Sequence, residues 1–198
     1  MTNIIERIME NGVEKTHPKK QIILTHTGRR VEPLLVGFKY RSNGKFDKLP
    51  HYIITQEGLV IQLLEDEKVP NYFNDKNLNN NSIVISLENL GWLEKQPLKN
   101  GHINWIGDIY SGKVVERKWR DYIFWHPYTE IQLDKLAELC IDLSNKHNIQ
   151  TTCIGHNTKV KGSESFNGIL TRSNFDGFST DLSPAFNFDY FVKKLNNE

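Results

Sequence analysis

Apolar positions in this chain cluster in short, β-branched runs, with one long helical stripe among them. Residues 22–24 (Ile22, Ile23, Leu24) form a continuous apolar run bounded by polar breaks, the signature of a buried strand. Residues 51–55 and 59–64 flank the turn Gln56-Glu57-Gly58 and read as a hairpin. Residues 82–87 (SIVISL) and 151–154 predict two further strands. Helical spacing is clearest at Leu133, Leu136, Ala137, Cys140 and Leu143, which share one face. Thr129 and Gln132 precede that stripe as a capping box, Thr129 as N-cap and Gln132 reaching back. Ile4, Ile5 and Ile8 predict a short helix over 3–10 with Gly12 as its stop, and 188–195 a terminal helix. Residues 29–50, rich in Arg, Pro and Gly, read as a long connection around the strand-like island LLVGFKY. Residues 65–81 read as an Asn-dense surface loop, and 155–185 as irregular.

Residues 88–126 hold Trp92, Trp105, Trp119 and Trp125 with no period, so they read as an insertion or lid spanning about 90–127. The order of elements predicts an α/β fold, a single mixed β-sheet of about five strands flanked by helices. That domain runs over 20–198, behind an N-terminal helical arm over 1–19.

Charge and composition narrow the function classes. Twenty-five Lys and Arg face 24 Asp and Glu, a net charge of +1. No electrostatic footprint for nucleic acid or an anionic membrane follows from that balance. The N-terminus lacks a basic stretch followed by an apolar run, so no signal peptide is expected. Cys140 and Cys153 are expected to be reduced thiols in the core. Function must therefore reside in a local site. The chain has no phosphate-binding loop, no dinucleotide fingerprint, no nucleophile elbow and no HExxH or CxxC pair.

Three polar residues stand at strand ends or in a following loop: His26, His156 and Asp181. Two imidazoles and a carboxylate with an open fourth position make a catalytic zinc site, where the metal activates water and polarises a carbonyl. The plain alternative is that each histidine is hydrogen-bonded in place. Arg29 and Arg30 suit either a bidentate grip on a carboxylate or a solvated loop. The four Trp suit either stacking on sugar rings or packing.

The order of motifs resembles the zinc-dependent N-acetylmuramoyl-L-alanine amidases, a family that includes small phage amidases and animal peptidoglycan-recognition proteins. The resemblance rests on IILTHTG (22–28), PHYIITQEGLVIQLL (50–64), NSIVISLEN (81–89), YTEIQLDKLAEL (128–139), CIGHN (153–157) and TDLSPAFNF (180–188). It implies zinc held by His26, His156 and Asp181, with Glu88 and His51 as catalytic groups and Arg29, Tyr72 and Asn157 on the substrate. Strict alignment instead puts Thr25 in the first ligand place, Ser86 where the family has Glu, Ser179 where it has Lys, and Pro50 where it has Tyr. Neighbouring strand residues point to opposite faces, so His26 replaces Thr25 only through a shifted strand end. Glu88 shares the face of Ser86 and offers a partial substitute.

The implied activity is hydrolysis of the muramoyl–L-alanine amide of bacterial peptidoglycan, as a phage endolysin or virion-associated lysin. Its setting would be the host bacterial cytoplasm before release, or the virion alongside other virion proteins. The alternative is an amidase-fold module without metal that binds peptidoglycan or serves a structural role in a virion.

Overall fold

The computed structural model describes residues 3–9, 13–96 and 101–196. In chain order the elements are β1 (Ile4–Glu6), β2 (Gln21–His26), α1 (Val31–Tyr40), β3 (Tyr52–Ile54), β4 (Val60–Gln62), α2 (Lys76–Asn81) and β5 (Ser82–Leu87). Then follow β6 (Trp92–Lys95), β7 (His102–Ile103), β8 (Ile109–Tyr110), β9 (Val115–Trp119) and β10 (Tyr122–Trp125). The chain finishes with α3 (Glu130–His147), β11 (Gly168–Thr171) and α4 (Phe188–Leu195).

Six strands form one mixed sheet in the order β1-β4-β3-β5-β2-β11. Only the β3–β4 hairpin pairs antiparallel; every other neighbour is parallel. On one face Ile22, Leu24, Ile83, Ile85 and Leu87 pack against Leu133, Leu136, Cys140 and Leu143 of α3 and Phe191 of α4. On the other face Ile53 and Ile61 meet Val31, Leu35 and Phe38 of α1, while Ile23, Val84 and Leu170 meet Phe73 and Leu78. Both faces are covered, which is why the central strands read as unbroken apolar runs without alternation. Cys140 and Cys153 are free thiols, as expected. Among the described residues no helix is long and apolar enough to cross a membrane.

Several expectations are corrected. The N-terminal segment is not a helix: β1 adds in parallel to β4, with Ile4 opposite Val60. Three residues of isoleucine-rich chain gain more from an open sheet edge than from a helix too short to hold itself. The expected stop at Gly12 lies outside the described residues. The connection over 29–50 contains α1, whose Val31, Leu35 and Phe38 are buried at helical spacing. Pro33 sits in its first turn, where a missing N–H costs nothing. Part of 65–81 is helical as α2, capped by Asp75, whose carboxylate accepts from the backbone N–H of Asn77 and Leu78. The strand expected at 151–154 is reduced to a single bridge between Cys153 and Ile169, and the edge place goes to β11.

The insertion is not aperiodic coil. Its five short strands make a second, antiparallel sheet in the order β8-β7-β6-β10-β9. Trp125 is fully buried there and donates its indole N–H to the Arg117 carbonyl at 2.7 Å. Trp92 stacks on Tyr122 with ring centres 4.5 Å apart, and Trp119 tilts against Trp125. Packing is therefore the main work of these rings. Trp105 is the half-exposed exception, donating to the Gly28 carbonyl at 2.8 Å.

Candidate functional site

Strand β2 ends at the C-terminal edge of the sheet, where Thr25 and His26 point to opposite faces. Thr25 is fully buried and lies in register with Ser86 of β5. The Tyr72 hydroxyl is 3.2 Å from Thr25 Oγ1 and also hydrogen-bonds Ser86. Burial pushes the Tyr72 phenol above its ordinary range. Three neutral hydroxyl groups thus occupy this face of the strand ends.

His26 faces the α3 side. Its Nε2 is 3.2 Å from Asp181 Oδ1, and its Nδ1 is 3.3 Å from the Tyr128 hydroxyl. Burial pushes the imidazole below its usual range, opposed by the Asp181 charge. Arg172 approaches the other Asp181 oxygen at 3.8 Å. A continuous polar line runs Tyr128–His26–Asp181–Arg172. Gly91, with φ +77°, lets the chain pass His26: a Cβ there would come within 3.2 Å of Nε2.

His156 lies apart from this line. Its ring stacks on Phe188 (centres 5.1 Å apart, planes at 14°) and meets Phe186 edge-on. It hydrogen-bonds backbone of Leu182 and Ser183, while Nε2 is buried with no partner among the described residues. Burial holds its pKa down at about 4. Among the described residues no three His, Cys, Asp or Glu are gathered so as to hold a metal. His26 and Asp181 meet, while His156 packs against Phe186 and Phe188. Zinc needs every donor at about 2.0–2.2 Å, so the arrangement does not fit the three-ligand centre.

The expected catalytic pair is also engaged elsewhere. His51 is fully buried beneath β3 and β5: its Nδ1 accepts the Val84 N–H at 3.0 Å and its Nε2 lies 3.0 Å from the Lys68 carbonyl. Burial lowers its pKa to about 3. It pins two segments together. Glu88 accepts the N–H of Val31 at 3.0 Å and of Gln56 at 3.2 Å, so its carboxylate anchors the start of α1 and the hairpin turn. Of the expected substrate contacts, Arg29 lies over the Trp105 ring at 5.1 Å. Tyr72 belongs to the buried hydroxyl group, and Asn157 takes a left-handed turn with its Oδ1 buried and without a partner among the described residues.

Two open clefts flank the Asp181 loop. One, of about 810 Å³, is lined by Arg117, Lys118 and Trp119 of the insertion together with His156, Asn157 and Phe188. The other, of about 930 Å³, is lined by Tyr72, Arg172, Phe175, the almost fully exposed Phe178, Lys48 and Lys159. Between them Arg120, at the β9–β10 turn, donates to the Gly177 carbonyl. Sequence reading missed Arg117, Tyr128 and Arg172. Tyr128 was visible as the residue before the helix cap; Arg172 lay in a stretch read as irregular.

The profile of the N-acetylmuramoyl-L-alanine amidase family matches residues 15–166. No curated protein sequence matches. Among solved structures the chain is similar to N-acetylmuramoyl-L-alanine amidase LysC from Clostridium intestinale URNW, with TM-score 0.60, 15% identity and 99% of each chain covered. It is also similar to a mutant endolysin from Bacillus subtilis, with TM-score 0.59, 15% identity, and 98% of this chain and 99% of that one covered. A third is the amidase AmiD from E. coli in complex with an anhydro-N-acetylmuramic acid peptide. Its TM-score is 0.56 at 15% identity, with 91% of this chain and 59% of that one covered. These likenesses show the fold.

Proposed function

This chain belongs to the N-acetylmuramoyl-L-alanine amidase family, and from that premise we propose that it engages bacterial peptidoglycan at the muramoyl–peptide junction as a recognition module. The observation that carries this reading is the buried Thr25–Tyr72–Ser86 hydroxyl group. It stands where the resemblance puts a metal-binding His and a catalytic Glu. A hydroxyl trio of this kind neither holds zinc nor moves a proton near neutral pH. The clefts beside Arg172 and Arg117 supply guanidinium groups for the carboxylates of the stem peptide. A phage setting goes with this reading, as a protein carried in the virion; an endolysin stands among the similar structures.

The family's hydrolytic reaction is the second reading. The 3.2 Å approach of His26 Nε2 to Asp181 Oδ1 favours it, because two donors of one tetrahedral ion stand about that far apart. One experiment separates the two. Protein purified without chelator is mixed with murein sacculi, and pelleting, release of peptide from muramic acid and metal content are measured together. The recognition reading expects pelleting with no release and less than a tenth of an equivalent of zinc. Release that rises with added zinc and disappears in His26→Ala establishes the hydrolase instead. An outcome with neither pelleting nor release removes both.

A further inference from the structure

We infer that the outward face of α1 docks against the same face of a second copy of this chain. The two helices run antiparallel about a twofold axis between Val36 and Gly37. The inference is independent of what the clefts bind.

Helix α1 buries Val31, Leu35 and Phe38 against the sheet. The opposite side of such a helix is expected to be polar, since it meets water. Here that side carries Pro33, Val36, Gly37 and Tyr40, a second stripe at helical spacing. Val36 is 58% exposed and Tyr40 68%, and Pro33 is exposed as well. The charged side chains of α1, Glu32 and Lys39, flank the stripe and leave its middle apolar.

Gly37 is the second observation. Glycine inside a helix weakens it relative to alanine, so its place there needs a reason. The packing of this chain supplies none: a Cβ on Gly37 would meet nothing within 4 Å. The missing side chain leaves a notch in the middle of the exposed stripe, where another surface can come close to the backbone.

The third observation is that the stripe is complementary to itself about that notch. Antiparallel pairing sets Val36 of each copy into the Gly37 notch of the other. The same register brings Pro33 against the Tyr40 ring and Glu32 beside Arg41, each of them twice, as a twofold contact requires. Among the described residues neither Glu32 nor Arg41 forms an ion pair within its own chain. Arg41 follows the end of α1 and lies over the Phe46 ring at 4.8 Å, a contact that uses the face of the guanidinium and leaves its N–H edge for a carboxylate. A second copy of the chain thus carries the knob, the notch and both charges that this face calls for. A contact between two ten-residue helices is small, so the dimer is weak and depends on concentration.

The test is sedimentation velocity from about 1 µM to about 1 mM, a range suited to a small interface. Wild type is expected to pass from monomer to dimer within it. Gly37→Leu fills the notch and is expected to weaken dimerisation by at least about tenfold. At the low end of the range the same variant is expected to melt at or above the wild-type temperature, because a strong helix former replaces glycine over open space. Glu32→Arg and Arg41→Glu each bring like charges together and are expected to weaken self-association about tenfold. Mixed in equal amounts, these two variants are expected to pair with one another about as tightly as wild type does with itself, because opposite charges meet again across the axis. Should either charge variant fail to fold, Gly37→Leu decides alone. Wild type that stays monomeric throughout overturns the inference. So does a dimer that Gly37→Leu leaves intact, which assigns association to another face, and so does a mixture that pairs no more tightly than the single variants. Monomeric wild type that floats with vesicles of phosphatidylglycerol and phosphatidylcholine assigns the stripe to a lipid surface and also overturns it.

Discussion

At the scale of single residues, the chemistry of this protein turns on two adjacent side chains that face opposite ways. Thr25 belongs to a hydroxyl group with Tyr72 and Ser86, and His26 belongs to a line with Tyr128, Asp181 and Arg172. The opposition of neighbouring strand residues was legible in the sequence. The partners were not, because Tyr72 and Asp181 lie far from residue 25 along the chain. Tyr72→Phe removes the phenol that Thr25 and Ser86 share and is expected to cost about 1–3 kcal/mol of stability, read from urea unfolding. No loss would mean the two hydroxyls find other partners. Gly91→Ala is expected to destabilise by about 1 kcal/mol or more, since φ is +77° and the added carbon meets His26. A shift of the His26 ring resonances in that variant, read by NMR, checks the contact itself.

At the scale of elements, α3 was the most readable and still held a surprise. Thr129 caps it as the pattern predicts, accepting the Gln132 N–H at 3.3 Å. Gln132 does not reach back to close a capping box. Its buried amide donates to the carbonyls of Ile54 at 2.9 Å and Glu88 at 3.1 Å, tying the helix to two strand ends. Thr129 also donates to the Gln56 carbonyl at 2.6 Å. Thr129→Ala is therefore expected to cost about 1–2 kcal/mol, the upper part of the range for a lost cap, measured by thermal melting. Leu136 is fully buried between α3 and the sheet, and Leu136→Ala is expected to cost about 2–5 kcal/mol in the same assay. The insertion was unreadable at this scale because its strands are two to five residues long. A period needs more residues than that to show itself.

At the scale of the whole molecule, buried histidines set the response to acid. Burial holds His51 at about 3 and His126 and His156 at about 4, all below the ordinary imidazole value of 6.5. Each is neutral in the fold and takes up a proton more readily when unfolded. Their stabilisation is complete above about pH 6.5 and declines as pH falls towards 4. Asp66, buried against Tyr52, Lys146 and His147, has a lowered pKa and acts in the same direction at still lower pH. The urea midpoint is expected to fall between pH 7 and pH 4.5, and His51→Gln is expected to flatten that fall; a midpoint constant with pH would contradict it. The sequence alone determined the mixed α/β class, the central strands, α3 and the family. These follow from which short segments are apolar and in what order, a property local to each segment. Tertiary structure decided the rest: that the first residues complete a sheet edge, that the tryptophan-rich stretch is a second sheet walling a cleft, and that His26 meets Asp181 while His156 stacks on Phe188. Each of these depends on which distant surfaces meet, and only burial of one against another selects the meeting.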